Sequence, residues 1–460
     1  MFLGRLVVSS STHGVFLVRS HIRASRPSLT SLGALTARRR SNIANQARVS
    51  TGRSDSDCPG LGMIDVGANL LDPMYMGVYH GKDTPYHPPD VSDVLERARA
   101  AGVTKIMVTA GTLAEARAAV AFCRSWNEKD STCEEDSTSS TSSTSSRRLS
   151  LYTTVGVHPT RGKEWAADPA GYMAGLEAIL REDAARASPV VVAIGECGLD
   201  YERVQFCDVE TQVACFEEHF RLAEVYRLPM FLHSRGTEGK AVAMVDVLRR
   251  FAGRMVRGGV VHSFDGSAEE MAALVGVGCG ERGEAKLYIG LNGCSLKTEE
   301  NLRVVKGLPL ERWVVGRGRE GEGGRERERR WWSLAHSLTR SLYALIGGRL
   351  MVETDAPWCG GSLFAGIGRS TRTHWTAHSL ARLHTGIRPT HASYGYLKES
   401  LVGLPPQKDK KKWVQGGMVK GRNEPGCLGQ VVEVVSGVMG VPVEAVKHAA
   451  TKNAQDMFFS

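Results

Sequence analysis

Eight short apolar runs alternating with stretches of helical periodicity constrain this 460-residue chain more than any other feature. The runs are 63–70 (MIDVGANL), 105–111 (KIMVTAG), 151–158 (LYTTVGVH), 190–196 (VVVAIGE), 229–233 (PMFLH), 258–263 (GGVVHS), 286–292 (KLYIGLN) and 349–355 (RLMVETD). They are rich in Val, Ile and Leu without clean polar–apolar alternation, as parallel strands buried on both faces are. Amphipathic stretches at 90–101, 112–126, 208–227, 239–252 and 267–276 lie between them. This order predicts an α/β fold, and eight such units predict a closed (β/α)8 TIM-type barrel. The competing open, doubly wound sheet would carry a GxGxxG turn after its first strand, and none is present.

Polar residues close these runs in a repeating way. His158 ends the third, Glu196 the fourth, His233 the fifth, His262 the sixth and Asp355 the eighth. A barrel brings the C-terminal ends of its strands to one rim, so these distant positions converge. Imidazole nitrogens and carboxylate oxygens are ligands for a catalytic divalent ion. A single histidine after a strand is usually structural. Five such residues, each at a strand end, point to a metal site.

Composition bears mainly on what the chain does not do. Apolar residues make up 42% and charged residues 23%, which excludes wholesale disorder. The net charge of +9 suggests nucleic acid until it is located. Nine of the 58 basic residues lie in 1–54, which has no acidic residue; the rest balance the 49 acidic groups. Residues 1–57 therefore read as a basic, Arg/Ser-rich leader, disordered or a transit peptide. Import into a mitochondrion or plastid is expected, with nucleus or cytoplasm as the alternative. Ten cysteines without a CxxC pair read as reduced thiols of a non-secreted protein. No apolar stretch approaches the ~18 residues of a membrane span, so no membrane role is expected.

Residues 58–460 read as one barrel with three interruptions. The low-complexity segment 131–146 should be disordered. Segments 313–348 and 361–386 are irregular, and their flanks rejoin into continuous motifs. Each is either a solvated loop or translated intervening sequence. By topology 313–348 joins a helix to the eighth strand, on the face away from the rim. Segment 361–386 follows the eighth strand, on the rim side.

At its rim residues the chain resembles the TatD-type metal-dependent deoxyribonucleases. The likeness lies in VVAIGECGLDY (191–201), LPMFLHSR (228–235), GGVVHSFDG (258–266), LYIGLNGCSLKTEENL (287–302), MVETDAPWCG (351–360) and GRNEPG (421–426). IDVGANLLDPMYMGVYHGK (64–82) and TVGVHPTR (154–161) resemble the eukaryotic branch. The resemblance implies a barrel of the amidohydrolase-like, metal-dependent hydrolase superfamily, acting on DNA with Mg²⁺, or with Mn²⁺ or Zn²⁺. It places Glu196, His233, His262 and Asp355 on the family's metal-ligand positions and His158 beside the metal and the scissile phosphate. Arg235 and Asp200 match motif positions, Arg235 as a candidate substrate contact. Arg422, Asn423 and Glu424 form a motif that either fixes the last barrel turns or acts directly. Many relatives carry HxH on strand one; here Asp65–Val66–Gly67–Ala68–Asn69 stands there, so a second ion would rest on Asp65 and Asn69 alone.

The expected chemistry is hydrolysis of DNA phosphodiester bonds, with 3′→5′ trimming implied by the resemblance. Glu196, Asp355 and His158 are the expected catalytic residues: Asp355 as general base, His158 as a donor to a nonbridging oxygen. DNA is the expected partner, with no obligate protein partner. The alternative is an amidohydrolase-like enzyme cleaving a small-molecule C–N or ester bond. That class usually shows HxH on strand one and often a lysine on strand four. A binding module without activity is disfavoured because all five rim residues are present.

Overall fold

The computed structural model describes residues 62–308, except 82–83, 133–147, 237–239, 281–282 and 284, together with 348–359 and 404–460. The leader and segment 361–386 lie outside the described residues. So do all but the first two positions of 131–146 and all but the last of 313–348.

All eight expected strands form. They are β1 (Met63–Ala68), β2 (Val103–Val108), β3 (Ser150–Val155), β4 (Val191–Asp200), β5 (Met230–Arg235), β6 (Gly259–Val261), β7 (Leu287–Leu291) and β8 (Leu350–Val352). They pair in parallel in sequence order, β1 to β8. The ring closes just beyond the regular strands, where Asp355 N donates to Gly67 O (2.8 Å) and Asn69 N to Ala356 O (2.6 Å). The absence of alternation follows from this architecture: every residue of β1 and β4 is buried, one face against helices and the other inside the barrel.

The helices are α1 (Val91–Ala100), α2 (Leu113–Thr132), α3 (Gly162–Ala167), α4 (Pro169–Ala184), α5 (Val209–Tyr226), α6 (Lys240–Arg250), α7 (Ala268–Val275), α8 (Glu299–Lys306), α9 (Leu428–Met439) and α10 (Val443–Phe458), of which α1, α2, α5, α6 and α7 fall on the expected amphipathic stretches. Helix α2 runs into the first two positions of the expected low-complexity insert. Helices α5 and α7 start on side-chain caps, Asp208 to Thr211 N and Ser267 to Glu270 N.

Two cores result. The larger lies between barrel and helices. The smaller fills the barrel: Ile64, Val66, Met107, Val192, Phe231, Val260 and Met351 pack with Met457 and Phe458 from the end of α10. The chain's last helix thus closes the mouth where the strands begin, leaving the opposite rim for chemistry. Among the described residues no single helix is long and apolar enough to cross a membrane.

Candidate metal centre

Two glycines press the end of β4 against β5. A side chain on Gly195 (φ +142°) would sit 2.2 Å from Phe231 O, and one on Gly198 (φ +143°) 2.0 Å from His233 O. Only glycine tolerates that backbone and that approach. Glu196, directly after the first of them, is carried to the middle of the rim. Its Oε1 lies 2.8 Å from His233 Nδ1, 2.8 Å from His262 Nε2 and 3.5 Å from His158 Nε2. His233 Nδ1 and His262 Nε2 are themselves 3.2 Å apart. Burial raises the Glu196 carboxyl, but the His262 and His158 rings and the hydrogen bonds from His233 and His262 hold it well below the carboxylate range.

Each ring is backed on its other nitrogen. His233 Nε2 lies 3.3 Å from Asp200 Oδ2, an oxygen that Arg203 Nε also approaches at 3.7 Å. His262 Nδ1 lies 3.5 Å from Glu353 Oε1. Glu353 is fully buried, and the same oxygen accepts from Ser263 N (2.5 Å) and Asn292 Nδ2 (3.2 Å). A carboxylate behind an imidazole accepts the proton of the ring nitrogen that faces it and leaves the lone pair on the nitrogen that faces Glu196. Burial pushes His262 down, yet Glu196 and Glu353 on either side hold it well above the histidine range.

His158 is set differently. Its Nδ1 accepts from Thr160 N (3.1 Å), so the neutral ring carries its proton on Nε2, which faces Glu196. Burial drives its pKa down to about 3, so it is neutral at pH 7. Behind it, His219 on α5 takes the Val157 N–H at 3.0 Å and fixes the strand end. His158 thus turns its Nε2 toward the donor group.

This arrangement fits a divalent cation. With both rings neutral, as ligation requires, the His233 and His262 lone pairs and a carboxylate oxygen would meet within about 3 Å, a donor set that a divalent cation would satisfy. His158, Glu196 and His233 offer ligand atoms that all lie within 4.8 Å of one another. Asp355 (φ +51°) stands at the edge: burial lifts its carboxyl to about 6, partly offset by the His262 charge. Its Oδ1 accepts from Asn69 Nδ2 (2.8 Å), and Asn69 is held in turn by Thr109 (2.5 Å). Arg235 ends β5 on the same rim, 4.0 Å from Glu202 and under the field of Asp265.

One sequence expectation is corrected and one open alternative takes its structural form. Asp65 is not brought to the donor group. Strand parity puts Ile64 and Val66 inside the barrel and Asp65 on the other face. There both its oxygens are taken, by Thr354 N (2.9 Å), Thr354 Oγ1 (2.6 Å) and Gly67 N (3.2 Å). Of the expected second-ion pair only Asn69 reaches the site, through Asp355. The Arg422–Asn423–Glu424 motif is a buried brace. Arg422 grips Asp90, Glu424 pairs with Arg97 (2.7 Å), and Asn423 Nδ2 donates to Thr354 O (2.8 Å), next to Asp355. Glu353 was missed by the sequence reading. Its signal was present in the VETD run, where period-two alternation puts it on the same strand face as Asp355.

Barrel and donor set together define a metal-dependent hydrolase of the amidohydrolase-like class. The chain belongs to the TatD-related DNase family, whose pattern matches residues 64–316. It is 31% identical over 397 residues to the deoxyribonuclease Tat-D of Schizosaccharomyces pombe, covering 86% of this chain and 95% of that one. It is 30% identical over 256 residues to the 3′-5′ ssDNA/RNA exonuclease TatD of Edwardsiella piscicida, covering 55% of this chain and 77% of the relative. The crystal structure of a TatD-family hydrolase from Entamoeba histolytica superimposes with a TM-score of 0.60 at 28% identity, covering 87% of this chain and 99% of the other.

Proposed function

We propose that this chain is a metal-dependent deoxyribonuclease that hydrolyses DNA phosphodiester bonds and trims strands 3′→5′. The observation that carries the reading is the meeting of the His233 and His262 nitrogens on Glu196 Oε1, each ring backed by a carboxylate, in a chain of this family. Its relatives, a deoxyribonuclease and a 3′-5′ ssDNA/RNA exonuclease, suggest the substrate class and the polarity.

Glu196, His233, His262 and Asp355 would hold the cation, Mg²⁺ first, with Mn²⁺ and Zn²⁺ as alternatives. The ion supplies Lewis-acid polarisation of the phosphoryl group and activation of water. Asp355, lifted by burial to about 6, takes a proton from the attacking water at its carboxylate. His158 donates its Nε2 proton to a nonbridging oxygen as charge builds there. Arg235 meets the phosphate backbone from the rim. Asp200 and Glu353 hold the two ligand rings in the binding tautomer. The amidohydrolase alternative finds no lysine at the end of β4, where Glu196 stands.

The test is direct. With Mg²⁺ or Mn²⁺ the protein should convert 5′-labelled single-stranded DNA into a descending ladder and stop on addition of EDTA. Undiminished activity in chelator, or no cleavage with any divalent ion, refutes the reading. We also propose that residues 1–57 form an import leader outside the barrel domain. A fluorescent fusion of that segment should enter mitochondria or plastids; a diffuse cytosolic signal counts against it.

A further inference from the structure

Two thiols on the rim have no part in the chemistry above. Cys294 opens the short turn after β7 (Cys294–Leu296), and Cys359 follows β8 four residues after Asp355. Their sulfurs are 2.7 Å apart. Cys359 also donates to Asp355 Oδ2 at 3.1 Å, the oxygen left free by Asn69. Cys359 is buried, whereas Cys294 is the one described cysteine that is part-exposed. The Arg235 guanidinium, at the end of β5 on the same rim, is near enough for its charge to be felt at both sulfurs. A partly accessible thiol next to a cation, with a second sulfur in reach, is the setting in which cysteines oxidise reversibly. Closing the pair to an S–S bond of about 2.05 Å requires less than 1 Å of travel.

We propose that Cys294 and Cys359 are a reversible oxidation site that switches this nuclease: a hydroperoxide joins them, and Asp355 loses the thiol that holds its carboxylate. Cys294 meets the oxidant first. Its sulfur attacks one peroxide oxygen, the O–O bond breaks, and a sulfenic acid and water result. The Cys359 sulfur then attacks the Cys294 sulfur; the S–O bond breaks and hydroxide leaves as water with the Cys359 proton. Two thiols and one hydrogen peroxide give one disulfide and two waters, the sulfurs losing the two electrons that the peroxide gains. The S–H donor to Asp355 Oδ2 is gone, and the β7 and β8 loops are tied together. A thiol reductant reverses both changes.

The loss of rate rests on the nuclease reading, whereas the disulfide does not. The full-length protein is treated with hydrogen peroxide, alkylated, digested and mapped by mass spectrometry, and its rate on single-stranded DNA with Mg²⁺ is measured in parallel. The expected result is a cross-linked peptide joining Cys294 to Cys359, with the rate down about tenfold, the loss of one hydrogen bond. Dithiothreitol should restore it. Cys294→Ser should keep the untreated rate and resist peroxide. Absence of that peptide overturns the proposal, as does a cross-linked protein of unchanged rate, or a Cys294→Ser variant as peroxide-sensitive as the wild type. An untreated protein with no nuclease activity refutes the nuclease reading and the switch with it, while the mass spectrum still decides the disulfide.

Discussion

Arg422→Met removes a guanidinium that is 1% exposed and holds Asp90 through two hydrogen bonds, at 2.8 and 2.5 Å. The same group donates to Glu424 Oε1 (3.0 Å) and Met74 O (3.1 Å) and lies 4.9 Å from the centre of the Tyr75 ring. Glu424 keeps Arg97 as a partner in the variant. Asp90, buried at 2% exposure, keeps no side-chain partner among the described residues. Breaking a buried pair by deleting one member costs about 3–5 kcal/mol, because the other charge is stranded. At ~2 °C per kcal/mol for a large domain, Tm should fall by about 6–10 °C. Methionine fills much of the volume, so most of this loss is electrostatic. The double variant Arg422→Met/Asp90→Leu removes the stranded charge and should recover much of the Tm. Thermal melts by circular dichroism, with steady-state kinetics taken well below the melt, check both parts. KM for DNA should stay unchanged, because the guanidinium faces Asp90 and not the rim. An unchanged Tm with a raised KM would mean that Arg422 touches substrate and that the brace is not its function.

His158→Ala should retain its divalent ion, measured by elemental analysis, while kcat falls about 10²–10³-fold, since the ring donates to charge that develops only in the transition state. Loss of the ion would make His158 a ligand. Glu353→Gln should weaken metal affinity about 10–100-fold by titration calorimetry, because the buried carboxylate behind His262 is removed without changing volume; equal affinity would refute the backing role. Burial lifts Asp65 from 3.8 to about 7, so the folded state keeps a proton that the unfolded chain releases. Its contribution to stability is complete below 3.8 and is lost as pH rises to 7. Asp65→Asn should therefore flatten the fall of urea-unfolding free energy across that window, and parallel slopes in the two proteins would contradict it.

Much of the fold was legible because its signals are local. An apolar run long enough to cross a barrel wall, followed by a polar residue, marks a strand and its rim position without reference to any other strand. That is why Glu196, His233, His262, His158 and Asp355 could be named in advance, and why helices α1, α5 and α7 fell within a residue or two of their expected ends. The helices of 162–184, α8 and the last two, α9 and α10, were not read. Only the closed barrel decided the rest, because it depends on which side chains meet across long separations. Asp65 differs from its neighbours by one step of strand parity, and the bonds that turn it toward Thr354 come from 289 positions away. Glu353 becomes the support of His262, Arg422 the partner of Asp90 and Cys294 the neighbour of Cys359 only when the ring shuts. A sequence determines where each strand begins and ends through short-range periodicity. The pairing of buried charges and thiols is set by tertiary contact, where burial makes every unpartnered group costly.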